Sequence, residues 1–267
     1  SFDSAYMIFN HDQLFRTNRF SGYDRIGDAN QLGFSATSRW ISEKTGREQA
    51  SLSVGQLRYF ADRRVQLCYK VDGICTDSPD MLGYVSPIAK SSPIASKATY
   101  QVNPYWAASG DYVWDVYTHA TNNGDLNLHY RPADNKMLRV GYSYLVSGNL
   151  LDTRYHPIQN NALHQATAAV AWPVTEKWSG IGAYSYNISK GYDMMAFAGV
   201  QYDTCCWALR LLGGHTFQSL GADSLTPQYN NNVYFQVLLK GLGSVAISDP
   251  ASTIQTYLPG YPNIFQR

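Results

Sequence analysis

The side chains with the most distinctive chemistry are the adjacent thiols of Cys205 and Cys206. Apolar residues alternate along the chain up to this pair, and the alternation resumes at Trp207, which predicts a tight turn between two strands. Adjacent cysteines rarely bond to each other, because the eight-membered ring strains the peptide between them. The natural interpretation is two disulfides to two cysteines elsewhere.

Cys68 and Cys75 are the two other cysteines of the sequence. Their spacing lacks nearby histidines and does not fit a zinc site. A disulfide between them would close a small loop around Asp72 and Gly73, and two free thiols are the alternative. Four cysteines, two of them adjacent, indicate an oxidising compartment.

No catalytic arrangement stands out in the sequence. The six histidines are scattered, and none has a nucleophile at a known motif spacing. We therefore expect no enzyme activity, no catalytic residue, no metal and no cofactor. A catalytic triad is recognised by geometry, so a barrel phospholipase that uses Ser and His stays an alternative.

The composition argues against several classes of protein. The 267 residues carry a net charge of +1 and only 15% charged residues, which does not indicate a nucleic-acid partner. Tyrosine is common, at 21 residues. The longest apolar stretch, near 166–174, is far shorter than the ~18 residues of a membrane helix.

Period-two alternation dominates the chain and predicts an all-β fold. In 137–147, for example, Val140 and Tyr142 alternate with Arg139 and Gly141. In 49–60 the apolar residues change face after Val54, so a bulge is expected there. About twelve strands are predicted, at 2–9, 30–40, 49–60, 94–103, 105–118, 125–132, 137–147, 162–172, 177–187, 192–202, 206–217 and 231–240.

The connections between these strands fall into two classes that alternate. Short ones are expected at 41–48, 103–104, 132–136, 173–176 and 203–205. Longer ones are expected at 10–29, 61–93, 148–161 and 218–230, and the short 121–124 and 189–191 fall in the same series. This alternation is typical of an antiparallel transmembrane β-barrel of the outer membrane, with short periplasmic turns and longer outer loops. A soluble β-sandwich or a propeller is the alternative.

Loop parity places Cys205 and Cys206 on the periplasmic side, and Cys68 and Cys75 on the outer side. A hydrocarbon layer of ~25–30 Å keeps the two pairs apart. Two disulfide partners are therefore expected outside this sequence, which is interpreted as part of a larger protein.

The end of the chain supports the same interpretation. Residues 1–241 are predicted as the barrel segment, and 242–267, interrupted by prolines, as a periplasmic tail. Weak β-formers flank 231–240. We expect this strand to face a strand outside the sequence, with few hydrogen bonds. A self-contained twelve-stranded pore, closed between 2–9 and 231–240, is the alternative.

Several motifs resemble one family closely, from about Leu14 to Gly243. The residues are Asn18-Arg-Phe-Ser-Gly-Tyr-Asp-Arg-Ile-Gly-Asp-Ala-Asn-Gln31, Val54-Gly-Gln56, Trp172-Pro-Val-Thr-Glu-Lys-Trp178, Gly199-Val-Gln-Tyr-Asp-Thr-Cys-Cys-Trp-Ala-Leu-Arg210 and Leu239-Lys-Gly-Leu-Gly243. They look like the C-terminal half of the lipopolysaccharide-assembly protein family LptD. The adjacent cysteines and the Phe-Ser-Gly-Tyr-Asp-Arg loop are specific in combination. Cys68 and Cys75 are not part of the family pattern.

The resemblance implies a function and several partners. The family has a 26-stranded barrel in the Gram-negative outer membrane that encloses an LptE-type lipoprotein plug. Its N-terminal domain receives lipopolysaccharide from periplasmic LptA-type bridge proteins, and the adjacent cysteines bond cysteines of that region. The lipid leaves through a lateral opening between the first and last strands. In this chain the strand 231–240 would form one lip, with Val233, Tyr234, Phe235, Val237 and Leu239, and would also be the signal for the barrel-assembly machinery.

Alternation also points five basic side chains inward, and loop parity places four of them near the periplasmic end. Lys97 is the fifth. If the lipid enters at that end, a basic rim could meet its phosphates, because guanidinium groups hold phosphate in a bidentate manner. Solvated charge at a wet mouth, or pairing with luminal acids or the plug, is the alternative. The predicted rim consists of Arg39, Arg139, Arg210 and Lys240.

Overall fold

A computed structural model describes residues 7–22, 24–66, 68–71, 74–77, 86–146, 162–220, 226–247, 250–262 and 264–266. Its fourteen strands, one helix and two short 3₁₀ turns confirm the predicted all-β fold. No helix among these residues is long and apolar enough to cross a membrane. The strands in chain order are β1 (Gln31–Ile41), β2 (Glu48–Tyr59), β3 (Cys68–Val71), β4 (Ile74–Asp77), β5 (Ile94–Gln101), β6 (Trp106–Asp115), β7 (Ala120–Ala133), β8 (Lys136–Leu145), β9 (Leu163–Pro173), β10 (Trp178–Asn187), β11 (Tyr192–Asp203), β12 (Trp207–Leu220), β13 (Pro227–Leu239) and β14 (Gly243–Ile247).

Twelve of the strands form one sheet in which each strand bonds the next along the chain, and β3 and β4 form a separate hairpin within the connection after β2. Eleven of the predicted strands are present. The first predicted strand, 2–9, is not a strand over residues 7–9, and its other residues lie outside the described part of the chain. The twelfth place in the sheet is taken by β14.

The outer edge of β13 differs from the prediction. Phe235 pairs with Ile247 and Leu239 with Gly243, so β14 covers the C-terminal half of this strand. The expectation that 231–240 faces only a strand outside the sequence was wrong. Gly243 adopts a φ of 128°, a conformation favoured by glycine, and this lets the chain turn back after a connection of three residues.

The expected bulge within 49–60 was also wrong. β1 and β2 keep one register from Gln31–Tyr59 to Trp40–Ala50, and the register shifts only beyond Trp40. Leu52 and Val54 are exposed, whereas Leu57 and Tyr59 are buried on the opposite face. The apolar residues change face because another segment covers the second face at that end of β2.

The connections alternate in length as predicted. Short connections lie at 42–47, 102–105, 134–135, 174–177, 204–206 and 240–242, and the others at 60–93, 116–119, 146–162, 188–191 and 221–226. The turn predicted at 121–124 was misplaced, because these residues belong to β7. The turn lies at 116–119 instead, where His119 has a φ of 54°, a value uncommon for residues other than glycine.

The chain divides into two compact units. Unit 1 contains Ser1–Tyr100, Ser109–Leu126 and Ser143–Leu163, and unit 2 contains Gln101–Ala108, Asn127–Tyr142 and His164–Arg267. In each unit one face of the sheet exposes large apolar side chains, and a terminal segment of the chain packs on the other face, which we call the covered face.

In unit 1 the covering segment is 7–20. Leu14 is 2% exposed and packs with Leu57 and Tyr59. Two glycines make this close approach possible: a Cβ on Gly33 would lie 2.8 Å from the Leu14 carbonyl oxygen, and one on Gly55 would lie 2.5 Å from Leu14 Cδ1. Lys97 Nζ binds Asp12 at 2.7 Å and fixes the start of the segment.

In unit 2 the covering segment is helix α1 (Ala251–Tyr257) with the residues that follow it. Ile254, Leu258 and Tyr261 are at most 4% exposed and pack against the covered face. Small side chains of the sheet leave room for the helix, and burial of each large apolar side chain contributes roughly 1.5–3 kcal/mol. The described residues from Ala251 to Phe265 therefore belong to the packed core of unit 2. The sheet residues of this cluster include Ala169, Ala171, Ile181, Ala183, Phe197 and Leu212.

We expect Gly55→Ala to displace the segment 7–20, because the new methyl group would overlap Leu14 and also lie 2.6 Å from the Phe34 carbonyl oxygen. Overpacking of this kind costs about 1–3 kcal/mol. Limited proteolysis of the folded protein should then cleave the segment faster. Gly213→Ala is the matched control, because no atom lies within 4 Å of its Cβ position. Equal cleavage rates in the two variants would contradict the packing described here.

Candidate functional site

Cys205 and Cys206 lie in the three-residue connection between β11 and β12, as predicted. The Thr204 amide donates to the Trp207 carbonyl at 3.0 Å, and the Trp207 amide donates to Thr204 Oγ1 at 3.3 Å. Both thiols are exposed and their Sγ atoms lie 2.7 Å apart. The turn therefore presents two free thiols side by side, accessible to partners from outside.

Lys240, a residue of the predicted rim, stabilises this turn. Its amide donates to the Cys206 carbonyl at 2.9 Å, and its ammonium pairs with Asp203 and donates to the Thr204 carbonyl. The hydrogen bond with Cys205 raises the pKa of the Cys206 thiol, and the nearby Lys240 ammonium opposes this shift. Lys240 therefore holds the backbone of the turn that carries both thiols.

Arg210 lies inside unit 2 and is 1% exposed. Its Nε and Nη2 donate to Gln201 Oε1 at 3.0 and 2.7 Å, and its Nη1 donates to Gln236 Oε1 at 3.1 Å. The guanidinium also stacks over the Phe265 ring, with 4.4 Å between Cζ and the ring centroid. Arg210 thus joins β11, β12 and β13 to the last residues of the chain.

Arg139 binds the end of helix α1. Its Nε and Nη2 donate to Asn127 Oδ1 at 3.0 and 2.7 Å, and its Nη1 donates to the carbonyls of Thr256 and Tyr257 at 2.9 and 3.3 Å. The last carbonyls of a helix have no partner within it and carry partial negative charge, so a guanidinium there is stabilising. Arg139 and Arg210 together anchor the covering segment of unit 2.

The two residues of unit 1 among the five predicted inward basic side chains, Arg39 and Lys97, have different surroundings. Arg39 Nε lies 3.7 Å from Glu48 Oε2, and both side chains are largely exposed. An exposed pair at this distance contributes only about 0–1 kcal/mol. Lys97 binds Asp12 of the covering segment. Four of the five basic side chains thus hold a turn or a covering segment, and Arg39 is the exception.

The predicted gate residues of β13 divide between the two faces. Val233, Phe235 and Leu239 are exposed by 69%, 38% and 48%, and Val237 lies on the same face. Tyr234 packs against the buried cluster around α1. Among the described residues β14 pairs with Phe235–Leu239, and the backbone edge at Val233 and Tyr234 lies beyond this described pairing.

Cys68 and Cys75 fall on β3 and β4, whose side chains lie outside the described part of the chain. In the backbone register Cys68 lies opposite Asp77, and Cys75 lies opposite Lys70. The predicted loop disulfide stays a prediction.

Sequence reasoning assigned no role to the arginines of the loop 18–28, although this loop carries the resemblance. Asp28 organises it: the carboxylate accepts from Arg19 Nη2 at 2.8 Å and from the amides of Arg64 and Val65 at 2.7 and 3.1 Å. Burial raises the pKa of Asp28, but these hydrogen bonds and the Arg19 charge outweigh it and lower the pKa to about 2. The carboxylate is therefore ionised at any physiological pH.

The loop contacts the start of the long connection after β2. Arg19 and Arg25 donate to the carbonyls of Val65 and Gln66, and the guanidinium of Arg63 stacks on Tyr59 with 3.7 Å between Cζ and the ring centroid. The signal that could have indicated this cluster is the concentration of arginines on both flanks of β1 and β2. These residues are Arg16, Arg19, Arg25, Arg63 and Arg64.

Comparison with known proteins identifies similar chains. The family profile described as LptD, LPS transport system D, matches residues 1–178. The LPS-assembly protein LptD of Legionella pneumophila strain Lens is 60% identical over 266 residues, which cover 100% of this chain and 32% of the relative. The LPS-assembly protein LptD of Pseudomonas aeruginosa strain LESB58 is 35% identical over 97% of this chain and 29% of its own length. The chain thus spans about a third of the length of these relatives.

We expect Arg210→Ala to destabilise the fold, because Gln201 and Gln236 would lose a buried donor and Phe265 would lose its stacking partner. A buried polar group left without its partner costs about 1–3 kcal/mol. Urea unfolding of the detergent-solubilised protein should show this loss. Arg39→Ala is the control and should change stability by less than about 0.5 kcal/mol, because Arg39 is exposed. Equal unfolding midpoints would show that Arg210 does not anchor the segment.

Proposed function

This chain belongs to the LptD family, and from that premise we propose that it forms part of an outer-membrane β-barrel that assembles lipopolysaccharide into the outer leaflet of a Gram-negative cell. The observation that carries the proposal is the 60% identity over the whole chain to an LPS-assembly protein. The antiparallel sheet, in which sequential strands pair, is consistent with a barrel segment.

The exposed apolar face supports a membrane location. Exposure of so many large apolar side chains to water would be unfavourable in free energy. Exposure of the same side chains to the hydrocarbon of a membrane is favourable. Only closed barrels and helices satisfy all backbone groups in lipid, so the sheet would continue into further strands of the whole protein. In unit 2 this face includes Leu128, Leu138, Val140, Tyr142, Val170, Val200, Leu211 and Phe235.

Aromatic side chains near the short turns of unit 2 support a membrane–water interface there. The Tyr202 ring lies between Trp178 and Trp207, with centroid distances of 4.8 and 5.0 Å. Trp and Tyr concentrate at the headgroup level of membrane proteins. Short turns lie on the periplasmic side of outer-membrane barrels. We therefore assign the turn with Cys205 and Cys206 to the periplasm.

In this proposal the adjacent thiols form two disulfides with cysteines of an N-terminal periplasmic region, which LptA-type bridge proteins supply with lipopolysaccharide. Their exposure and their place at the end of a rigid hairpin suit this role. Such bonds would hold the periplasmic region against the barrel, and each disulfide that closes a long loop contributes about 2–4 kcal/mol. An LptE-type lipoprotein would fill the lumen of the whole barrel.

The lipid would leave through a lateral opening beside β13 and β14. In the described part of the chain β14 has five residues and covers only the C-terminal half of β13. Such a seam has few hydrogen bonds to break when it parts. The exposed side chains of β13 would contact acyl chains, and the same strand would present its edge to the barrel-assembly machinery.

The predicted basic rim of Arg39, Arg139, Arg210 and Lys240 stays a proposal, now limited to Arg39. Arg139, Arg210 and Lys240 instead contact a helix end, two buried glutamines and the Cys205–Cys206 turn, a structural role that neither the predicted rim nor its alternative included. Arg39, which is exposed, keeps the capacity to meet lipid phosphates at the periplasmic mouth.

The proposed function predicts that depletion of this protein removes newly made lipopolysaccharide from the cell surface. Modification of the lipid by an outer-leaflet acyltransferase in intact cells measures its arrival there. A complementing copy with Arg47→Gln, a change in an exposed turn, should restore the signal fully. If the surface lipid were unchanged and only the uptake of small solutes fell, the pore alternative would be favoured instead.

The disulfide proposal predicts that peptide mapping of the mature protein without reductant links Cys205 and Cys206 to two different cysteines outside residues 1–267. Cys205→Ser and Cys206→Ser should each remove one link and keep the other. Cys68→Ser should remove neither. A bond between Cys205 and Cys206 in the mature protein would be incompatible with the proposal.

A further inference from the structure

A cavity in unit 1 concentrates positive charge beside the covering segment 7–20. Three arginines line it, from the segment, from the loop 18–28 and from the connection after β2: Arg16, Arg19 and Arg63. The cavity also reaches Gln31 at the start of β1 and Tyr59 at the end of β2. It therefore lies at the end of these strands opposite the turn 42–47.

Two of the arginines are held in place by the fold. Arg19 Nη1 donates to the Asp28 carbonyl at 2.7 Å, and its Nη2 binds the Asp28 carboxylate at 2.8 Å. Arg63 is 6% exposed, stacks on Tyr59 and donates to the Ser86 carbonyl. Each guanidinium has five N–H donors in a fixed fork, so donors remain for a ligand. Placing them in advance lowers the entropy cost of binding.

The third arginine is exposed. The hydrogen bond of Arg16 among the described residues runs from Nη1 to the Met7 thioether at 3.4 Å. Sulfur of this kind is a weak acceptor. The side chain can therefore exchange this contact for a bond to an anion at little cost.

The charges of the described residues that line the cavity do not balance. The carboxylate among these residues is that of Asp28, and it is engaged by Arg19 and by two backbone amides. Three guanidinium groups and one carboxylate leave two positive charges. A dianionic group would neutralise them, and guanidinium forks match the oxygens of a phosphate.

The rest of the lining suits a ligand with both polar and apolar parts. Met7, Phe9 and Leu57 supply an apolar wall, and Gln13 supplies an amide group, whereas the Gln66 amide donates to the Arg63 carbonyl at 2.6 Å. A free phosphate ion would use only the arginines. A phosphate carried on a sugar would also use the wall, against the C–H face of the ring, and the Gln13 amide, by a hydrogen bond to a hydroxyl group.

We propose that this cavity binds a phosphate group carried on a sugar, with Arg63 and Arg19 as the fixed donors and Arg16 closing over the anion. The identity of the ligand rests on the proposed function, in which a phosphorylated glycolipid passes this face of the sheet. The parity of the connections assigns the cavity to the outer side of the membrane. It would hold the glycan of the lipid near the end of its passage.

The test measures binding to the protein as the cell makes it, purified in detergent, by isothermal titration. The probes are lipopolysaccharide freed of its acyl chains, the same material after phosphatase treatment, and inorganic pyrophosphate. Arg16→Gln should weaken binding of the first probe by about tenfold, because one charge-assisted hydrogen bond is lost. Phosphatase treatment should weaken binding to the wild type by at least a similar factor.

Arg64→Gln is the matched control, because Arg64 is exposed, follows Arg63 directly and does not line the cavity, while its amide keeps the bond to Asp28. It should bind all probes like the wild type.

The core oligosaccharide without the anchor sugars then distinguishes two sources of phosphate: binding assigns the core phosphates, and no binding assigns those of the anchor.

Equal affinities of Arg16→Gln and the wild type for the first probe would overturn the site and leave the proposed function standing. Equal binding before and after phosphatase treatment would also overturn it. Suppose that neither the wild type nor a variant bound the sugar probes, and that pyrophosphate binding fell about tenfold in Arg16→Gln. The cavity would then be an anion site, and the proposed lipopolysaccharide substrate would be wrong.

Discussion

A continuous antiparallel ladder, in which each strand bonds its neighbour in sequence, is the constraint on which the rest of this structure depends. Because side chains alternate between the faces of a strand, one register fixes which residues meet solvent or lipid and which face inward. In β1 and β2 the register runs without interruption from Gln31 to Trp40. A slip of β2 by one residue would turn Leu57 and Tyr59 to the exposed face.

In both units the covered face of the sheet is partly apolar, and in both it is buried in the same way. Unit 1 covers it with the segment around Leu14, and unit 2 with helix α1 and Leu258. In both, small residues of the sheet make room and a cation fixes the covering segment: Lys97 binds Asp12, and Arg139 binds the carbonyls at the end of α1. The segments thus belong to the fold as much as the strands do.

The packing of the covering segments gives the inward basic residues Arg139 and Arg210 a structural role in place of the predicted contact with lipid phosphates. Alternation identifies them correctly, since Arg210 and Arg139 do point to the covered face. It does not reveal their partners, because these are distant in sequence. Phe265 is more than fifty residues from Arg210, and Thr256 is more than one hundred residues from Arg139. The charges that remain accessible in unit 1, at Arg16 in particular, lie instead near the loop 18–28, where the sequence pattern assigns no chemistry.

The sequence by itself determined eleven of the twelve predicted strands, most of the connections and the turn at Cys205 and Cys206, because these depend on local periodicity and turn chemistry. It did not determine the pairing of β14, the helix α1 or the faces of Leu57 and Tyr59. Five residues of β14 and seven of α1 carry too little local preference to specify a structure alone. Only packing on a sheet that has already formed stabilises them, and only the tertiary structure decided whether each inward arginine serves the fold or a ligand.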